Sequence, residues 1–175
     1  VQTQLCEFCL KSGMLCSKCQ EKIRKGLVNN LYIKTAQLLL DVEDQFPLLQ
    51  KAKLVNVVEA GGYLVLIVGQ GDRAKFLSYG GRLSKLIRDG LHKQNILILE
   101  EGINDRRFIE DLFSNQQIVT INIIWLPDGS TETRVVLTGR GKELSKKRIR
   151  ALSEAAKRIR NMNLRIEYVK PRPNF

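Results

Sequence analysis

All four cysteines of the chain fall near its start, as Cys6-Glu-Phe-Cys9 and Cys16-Ser-Lys-Cys19, with six residues between the pairs. A Cys-x-x-Cys turn brings two thiolates to one side of a tight knuckle, and two facing knuckles make the tetrahedral sulfur cage that zinc takes. The short spacer predicts a compact hairpin rather than a full three-stranded ribbon. One structural Zn2+ on Cys6, Cys9, Cys16 and Cys19 is therefore expected, with four sulfurs closing the coordination sphere against an activated water. Two disulfides are the alternative, disfavoured where thiols stay reduced. A redox pair or an iron–sulfur cluster would want surroundings that the spacing does not provide. Lys11, Lys18, Lys22, Arg24 and Lys25 around the module either touch phosphates or form a solvated face.

At 175 residues the chain is too short for a large multidomain enzyme and long enough for one medium domain or two to three small ones. Its 43% hydrophobic and 27% charged residues are a globular composition. No apolar run approaches the roughly 20 residues of a spanning helix. The opening VQTQLCEFC lacks the basic and apolar regions of a secretory signal, so a cytoplasmic protein with no membrane partner is expected. The formal net charge is +11, and from Gly139 onward twelve Lys and Arg face only Glu143, Glu154 and Glu167. A field concentrated at one end is the footprint of a nucleic-acid binder, because neutralising phosphates releases condensed counterions. Solubility alone is the competing explanation for a basic surface.

The remaining residues alternate between helical and strand periodicity. Residues 31–46 place Leu31, Ala36, Leu38, Leu39, Val42 and Phe46 at helical spacing, and Pro47 stops them. Residues 53–60 and 63–68 predict two strands joined at Gly61-Gly62. A short helix over 73–77, a break at Tyr79-Gly80-Gly81, a helix over 82–91 and a strand over 96–100 complete an α-β-β-α-α-β order. The order then returns: a helix capped by Asn104 or Asp105 and running to Phe113, strands over 118–126 and 131–137 around Pro127-Asp128-Gly129-Ser130, one long basic helical stretch over 142–159 with Ser145 as a candidate break, and a strand over 164–169. Trp125, in the apolar strand, is expected in the core or at a sheet edge.

With CEFCLKSGMLCSKC at the start and the stretch from VLIVGQGDRAKFLSYGGRLSKLI to NILILEE, the chain resembles the archaeal NusA-like proteins that join a zinc module to tandem KH domains. The resemblance covers essentially the whole sequence. It implies an α+β fold with a four-cysteine zinc module at 1–28, a first type II (prokaryotic-type, αββααβ) KH-like domain at 29–102, and a second, degenerate one at 103–175. A KH domain holds about four nucleotides beside a GxxG loop whose glycines admit the phosphate backbone. The matching loop is Ser78-Tyr79-Gly80-Gly81, with Ser in place of the first glycine and Lys75, Arg82 and Lys85 as flanking charges. Leu77, Leu83, Leu86 and Ile98 would floor the groove or serve as plain core. Tyr79 would stack on a base or pack on a neighbouring helix. In the second copy the matching position, Leu144-Ser145-Lys146-Lys147, has no glycine, so that copy would either contact RNA through the helix face of Lys146, Lys147, Arg150, Lys157 and Arg158 or serve as scaffold.

Catalysis is not expected. Gly69-Gln-Gly71-Asp-Arg-Ala completes no dinucleotide fingerprint, and no Walker loop is present. The only histidine, His92, sits at a helix end. Glu100/Glu101 and Glu110/Asp111 are adjacent in sequence and so point in different directions. The expectation is a non-catalytic single-stranded RNA-binding protein of transcription elongation or termination, with RNA polymerase as a candidate partner. A ribosome-associated or ribosome-assembly protein on rRNA is the alternative, and an adaptor that has lost RNA binding is a third reading.

Overall fold

A computed structural model of the protein describes residues 1–139 and 143–169. Lys142, expected to begin the basic helical stretch, and the counted basic residues Arg140, Lys170 and Arg172 lie outside the described residues. The architecture is mixed α+β with two three-stranded sheets. The chain divides into two compact units, residues 1–59 with 63–103, and residues 60–62 with 104–175.

The first unit opens with two short helices, α1 (Glu7–Ser12) and α2 (Ser17–Arg24), where a hairpin was expected. Cys6 and Cys16 are their N-caps, so a Cys-x-x-Cys spacing becomes N-cap to third helical residue and one helical turn does the work of a β-knuckle. Next comes α3 (Asn30–Val42), capped by Asn29 Oδ1, which accepts from Tyr32 N at 2.7 Å. Tyr32, Ala36, Leu39 and Leu40 line its buried stripe. The helix ends at Val42, short of Phe46, because the chain tightens into one 3-10 turn at Glu43–Gln45 and a second at Pro47–Lys51. Pro47 stops the first segment by starting the second, where its missing N–H costs nothing.

Strands β1 (Leu54–Ala60) and β2 (Tyr63–Val68) are joined by Gly61 and Gly62 at φ +59° and +77°, the left-handed pair that a two-residue hairpin turn requires. Helices α4 (Arg73–Leu77) and α5 (Arg82–Gly90) then carry the chain to β3 (Asn95–Glu100), parallel to β2. The sheet order is β1-β2-β3. The outer edge of β1 is covered from the N-terminal segment: Gln2 bridges Lys53, Gln4 Nε2 donates to Val55 O, and Asn29 Nδ2 donates to Val57 O.

The buried Tyr32 hydroxyl joins these pieces, accepting from Gln4 N at 2.7 Å and donating to Leu54 O at 2.9 Å. Tyr32→Phe is expected to cost about 1–3 kcal/mol in chemical denaturation, since it strands a backbone donor and a backbone acceptor. Burial pushes the Tyr32 phenol up to about 12. Its contribution is therefore complete below about pH 10, the ordinary tyrosine value, and lost as pH rises towards 12. The Phe variant is expected to lack that alkaline component, and equal stability of the two proteins would refute the bridging role.

The second unit runs α6 (Asp105–Leu112), β4 (Ile118–Trp125), β5 (Thr131–Thr138), α7 (Lys146–Arg160) and β6 (Leu164–Val169). Strand β5 pairs antiparallel with β4 and parallel with β6, in the order β4-β5-β6. Asn104 Oδ1 caps α6 and Ser145 Oγ caps α7. Ser145 therefore starts a single helix rather than breaking a longer one. Among the described residues one helix stands between β5 and β6 where the returning order called for two. Arg160 locks α7 to α6, meeting Asp105 at 2.8 Å and lying over the Phe108 ring at 4.8 Å. Among the described residues no helix is long and apolar enough to cross a membrane.

Candidate metal centre and nucleic-acid interface

The four cysteine sulfurs lie within 4.8 Å of one another. Cys6 Sγ is 2.9 Å from Cys9 Sγ, 3.5 Å from Cys19 Sγ and 3.9 Å from Cys16 Sγ. A disulfide needs about 2.05 Å, whereas sulfurs about 2.3 Å from a shared tetrahedral ion sit about 3.8 Å apart. The cluster has the dimensions of a metal cage. The two knuckles also support each other, for Cys6 N donates to Cys19 Sγ at 3.4 Å and Cys16 N donates to Cys9 Sγ at 3.2 Å. Such amide donors stabilise sulfur in its thiolate form.

The thiols titrate unequally. The hydrogen bond shared between Cys6 and Cys9 holds Cys6 below the ordinary thiol value and pushes Cys9 up to about 12. The Cys19 backbone draws Cys16 down to about 7, and burial pushes Cys19 up. Four neighbouring sulfurs share charge poorly without a cation between them, and a soft divalent ion would supply that charge. Around the cluster Lys11 pairs with Glu7 at 2.5 Å, Lys25 pairs with Glu21 at 2.7 Å, and Lys22 donates to Gln4 O at 2.5 Å. These three are committed within the module.

The glycine loop lies between α4 and α5. Its entry is fixed by the buried Asp72, whose Oδ2 accepts from Lys53 N at 2.8 Å and whose Oδ1 accepts from Lys75 Nζ at 2.5 Å. Lys75 also donates to Lys51 O at 2.8 Å. Ser78 Oγ donates back to Ala74 O. The Tyr79 ring stands edge-on to Phe46 at 4.8 Å, and its hydroxyl accepts from Leu48 N at 2.8 Å. Tyr79 is thus packed on the segment that follows α3.

Gly80 and Gly81 adopt φ +57° and +81°, and no heavy atom lies within 4 Å of where a Cβ would stand on either. Glycine is needed here for the backbone angle and not for crowding, and the space beside the turn is open. Gly81 N-caps α5 without a side-chain hydrogen bond, while Arg82 and Lys85 are exposed beside it. Among the described residues neither side chain is ion-paired. The expected groove residues divide: Leu83 and Ile98 are core, Leu77 is 42% exposed, and Leu86 lines a groove of about 590 Å3 with Leu38, Val42, Arg82, Lys85, Asp89 and Gly90. Leu38 and Val42 were not anticipated as wall residues. Their i, i+4 spacing marks one helix face, but nothing local says that α5 stands opposite.

On α7, Lys146, Lys147, Arg150, Lys157 and Arg158 are all exposed, and Leu152, Ala155 and Ala156 are buried. The helical period gathers the five charges on the arc away from the core, with Glu154 among them. Among the described residues none of the five is ion-paired. The acidic residues considered for chemistry are otherwise engaged: Glu100 accepts from Arg73 N, and Glu101, Glu110 and Asp111 pair with Lys53, Arg106 and Arg107. His92 is exposed in a left-handed conformation just after α5.

No protein-family model and no curated protein matches the chain. Among solved structures the chain is similar to one described as "Crystal structure of APE1850", at 19% identity over 74% of this chain and 96% of that chain. The TM-score of 0.47 is too low for that likeness to carry a family or an activity.

Proposed function

We propose that the protein is a non-catalytic single-stranded RNA-binding protein made of a zinc-stabilised module and two KH-like units, acting in transcription elongation or termination. The observation that carries the reading is the open Gly80-Gly81 turn at the start of α5, without a side-chain cap, beside Arg82 and Lys85, which are not ion-paired among the described residues. Backbone amides at a helix start attract phosphate, and glycines let a sugar-phosphate chain approach them. The order α3-β1-β2-α4-α5-β3, with its helix break at those glycines, supports a KH-like first unit. The basic arc of α7 adds affinity that does not depend on sequence. Lys75 and Tyr79 take positioning roles, since their polar groups are already bonded within the unit. Four thiolates in a closed set favour zinc in a structural role; Cys6, Cys9, Cys16 and Cys19 would hold it.

The test is fluorescence anisotropy of labelled single-stranded RNA, duplex RNA and duplex DNA at several salt concentrations. A preference for the single strand that persists as salt rises is expected, because a groove beside the glycine turn reads unpaired bases. Charge reversal at Lys146, Arg150 and Lys157 is expected to weaken all three ligands alike and to flatten the salt dependence by roughly one phosphate per lysine or arginine removed. Equal binding of the three ligands that collapses with salt would overturn the groove.

A further inference from the structure

Among the described residues, strand β4 is the one sheet edge with nothing on it and no charge along it. Its sequence, Ile-Val-Thr-Ile-Asn-Ile-Ile-Trp, contains no Lys, Arg, Asp or Glu, and Ile123 and Trp125 are 64% and 77% exposed. Natural sheets guard such edges with charge, proline or a covering segment. Strand β1, in the corresponding place in the first sheet, is covered by Gln2, Gln4 and Asn29. Among the described residues no side chain or strand covers the outer edge of β4.

We propose that this edge pairs antiparallel with the same edge of a second copy of the chain, centred on Ile123. Leu126 N donates to Ser130 O beside the Trp125–Thr131 pair. By the antiparallel alternation, Thr120, Asn122 and Ile124 then bond inward to β5, and Ile121, Ile123 and Trp125 turn their N–H and C=O groups outward. A two-fold axis at Ile123 sets Ile123 against its own copy and Ile121 against Trp125 of the second copy. All three outward residues are used, and every cross-strand pair on that face is apolar. The irregularity between Ile118 and Thr120 bends the strand and ends the pairing there.

Electrostatics favours a second copy over a charged partner. On the other face of the sheet Arg134 pairs with Glu167 at 2.6 Å, and Arg165 pairs with Glu167 at 3.1 Å and Glu132 at 4.0 Å. Two acids and two bases cancel within each copy, so two chains of net charge +11 meet here without setting like charges face to face.

Light scattering of the nuclease-treated, metal-loaded protein over a roughly hundredfold concentration range tests this, with fluorescence of Trp125, the only tryptophan, read alongside. The expected result is a mass rising from 20.0 kDa to twice that value, with emission shifting to the blue in step. Ile123→Lys is expected to hold the protein at monomer mass with red emission and unchanged circular dichroism. Val119→Lys, outside the paired stretch, is expected to leave the dimer intact, which separates loss of pairing from misfolding. A monomer at every concentration with water-exposed tryptophan emission would overturn the proposal. So would a dimer indifferent to Ile123→Lys.

Discussion

With the proposed ion on the four-cysteine cluster, its removal by chelation or by Cys19→Ser is expected to unfold residues 1–28 and lower the melting temperature by about 8–16 °C. An ion held a thousandfold more tightly than its free concentration contributes about 4 kcal/mol, and each kcal/mol is worth about 2–4 °C in a chain of this size. Helices of six and eight residues do not persist alone in water. The damage spreads because Leu5, Cys9, Leu10 and Cys19 share one core cluster with Tyr32, Ala36 and Leu39. Losing the module uncovers the buried stripe of α3 and the outer edge of β1.

Acid is expected to act in the same direction. Binding must expel protons from Cys9 and Cys19, whose values are raised, so affinity climbs with pH and the ion leaves as pH falls. Calorimetry of titrations between neutral and mildly acidic pH, with a dye reporting released zinc, checks the sign. A protein that retains its melting temperature after complete chelation would refute a structural metal.

Gly80→Asp combined with Gly81→Asp is expected to lower single-stranded RNA affinity roughly 10- to 100-fold, or about 1.4–2.8 kcal/mol, while the circular dichroism spectrum stays unchanged. The two carboxylates would stand where phosphate approaches, in the open space beside the turn. Asp tolerates a left-handed backbone better than most residues, so the fold survives the pair. Gly80→Ala brings the backbone penalty without the charge and separates the two effects. Unchanged binding by the double variant would remove the glycine turn from the interface.

Much of the fold was legible because it rests on short-range causes. The limits of β2 and α4 coincide with the expected ranges at 63–68 and 73–77, where β-branched runs and bounding glycines act over a few residues. Asn104 as a cap, the Gly61-Gly62 turn and the gathering of four cysteines follow from the same local chemistry. The helical form of the cysteine knuckles was not legible, since a Cys-x-x-Cys spacing suits both a β-turn and the first turn of a helix. Among the described residues one helix lies between β5 and β6; the sequence offered one long basic stretch there with Ser145 as a candidate break, and Ser145, a good N-cap in its own right, begins the helix instead.

By itself the sequence determined the four-cysteine set able to hold a metal, the alternation of helices and strands, and the concentration of positive charge on one helix. These depend on spacing and on side chains a few positions apart. Only the tertiary structure decided that Tyr79 is spent on Phe46 and Leu48, that Lys75 is tied to Asp72 and Lys51, that Leu38 and Val42 wall a groove with α5, and that Trp125 stands in water at a bare edge. The physical reason is shared: exposure and pairing are set by which distant segment arrives to cover a face. The N-terminal residues reach the edge of β1, whereas none of the described residues reaches that of β4.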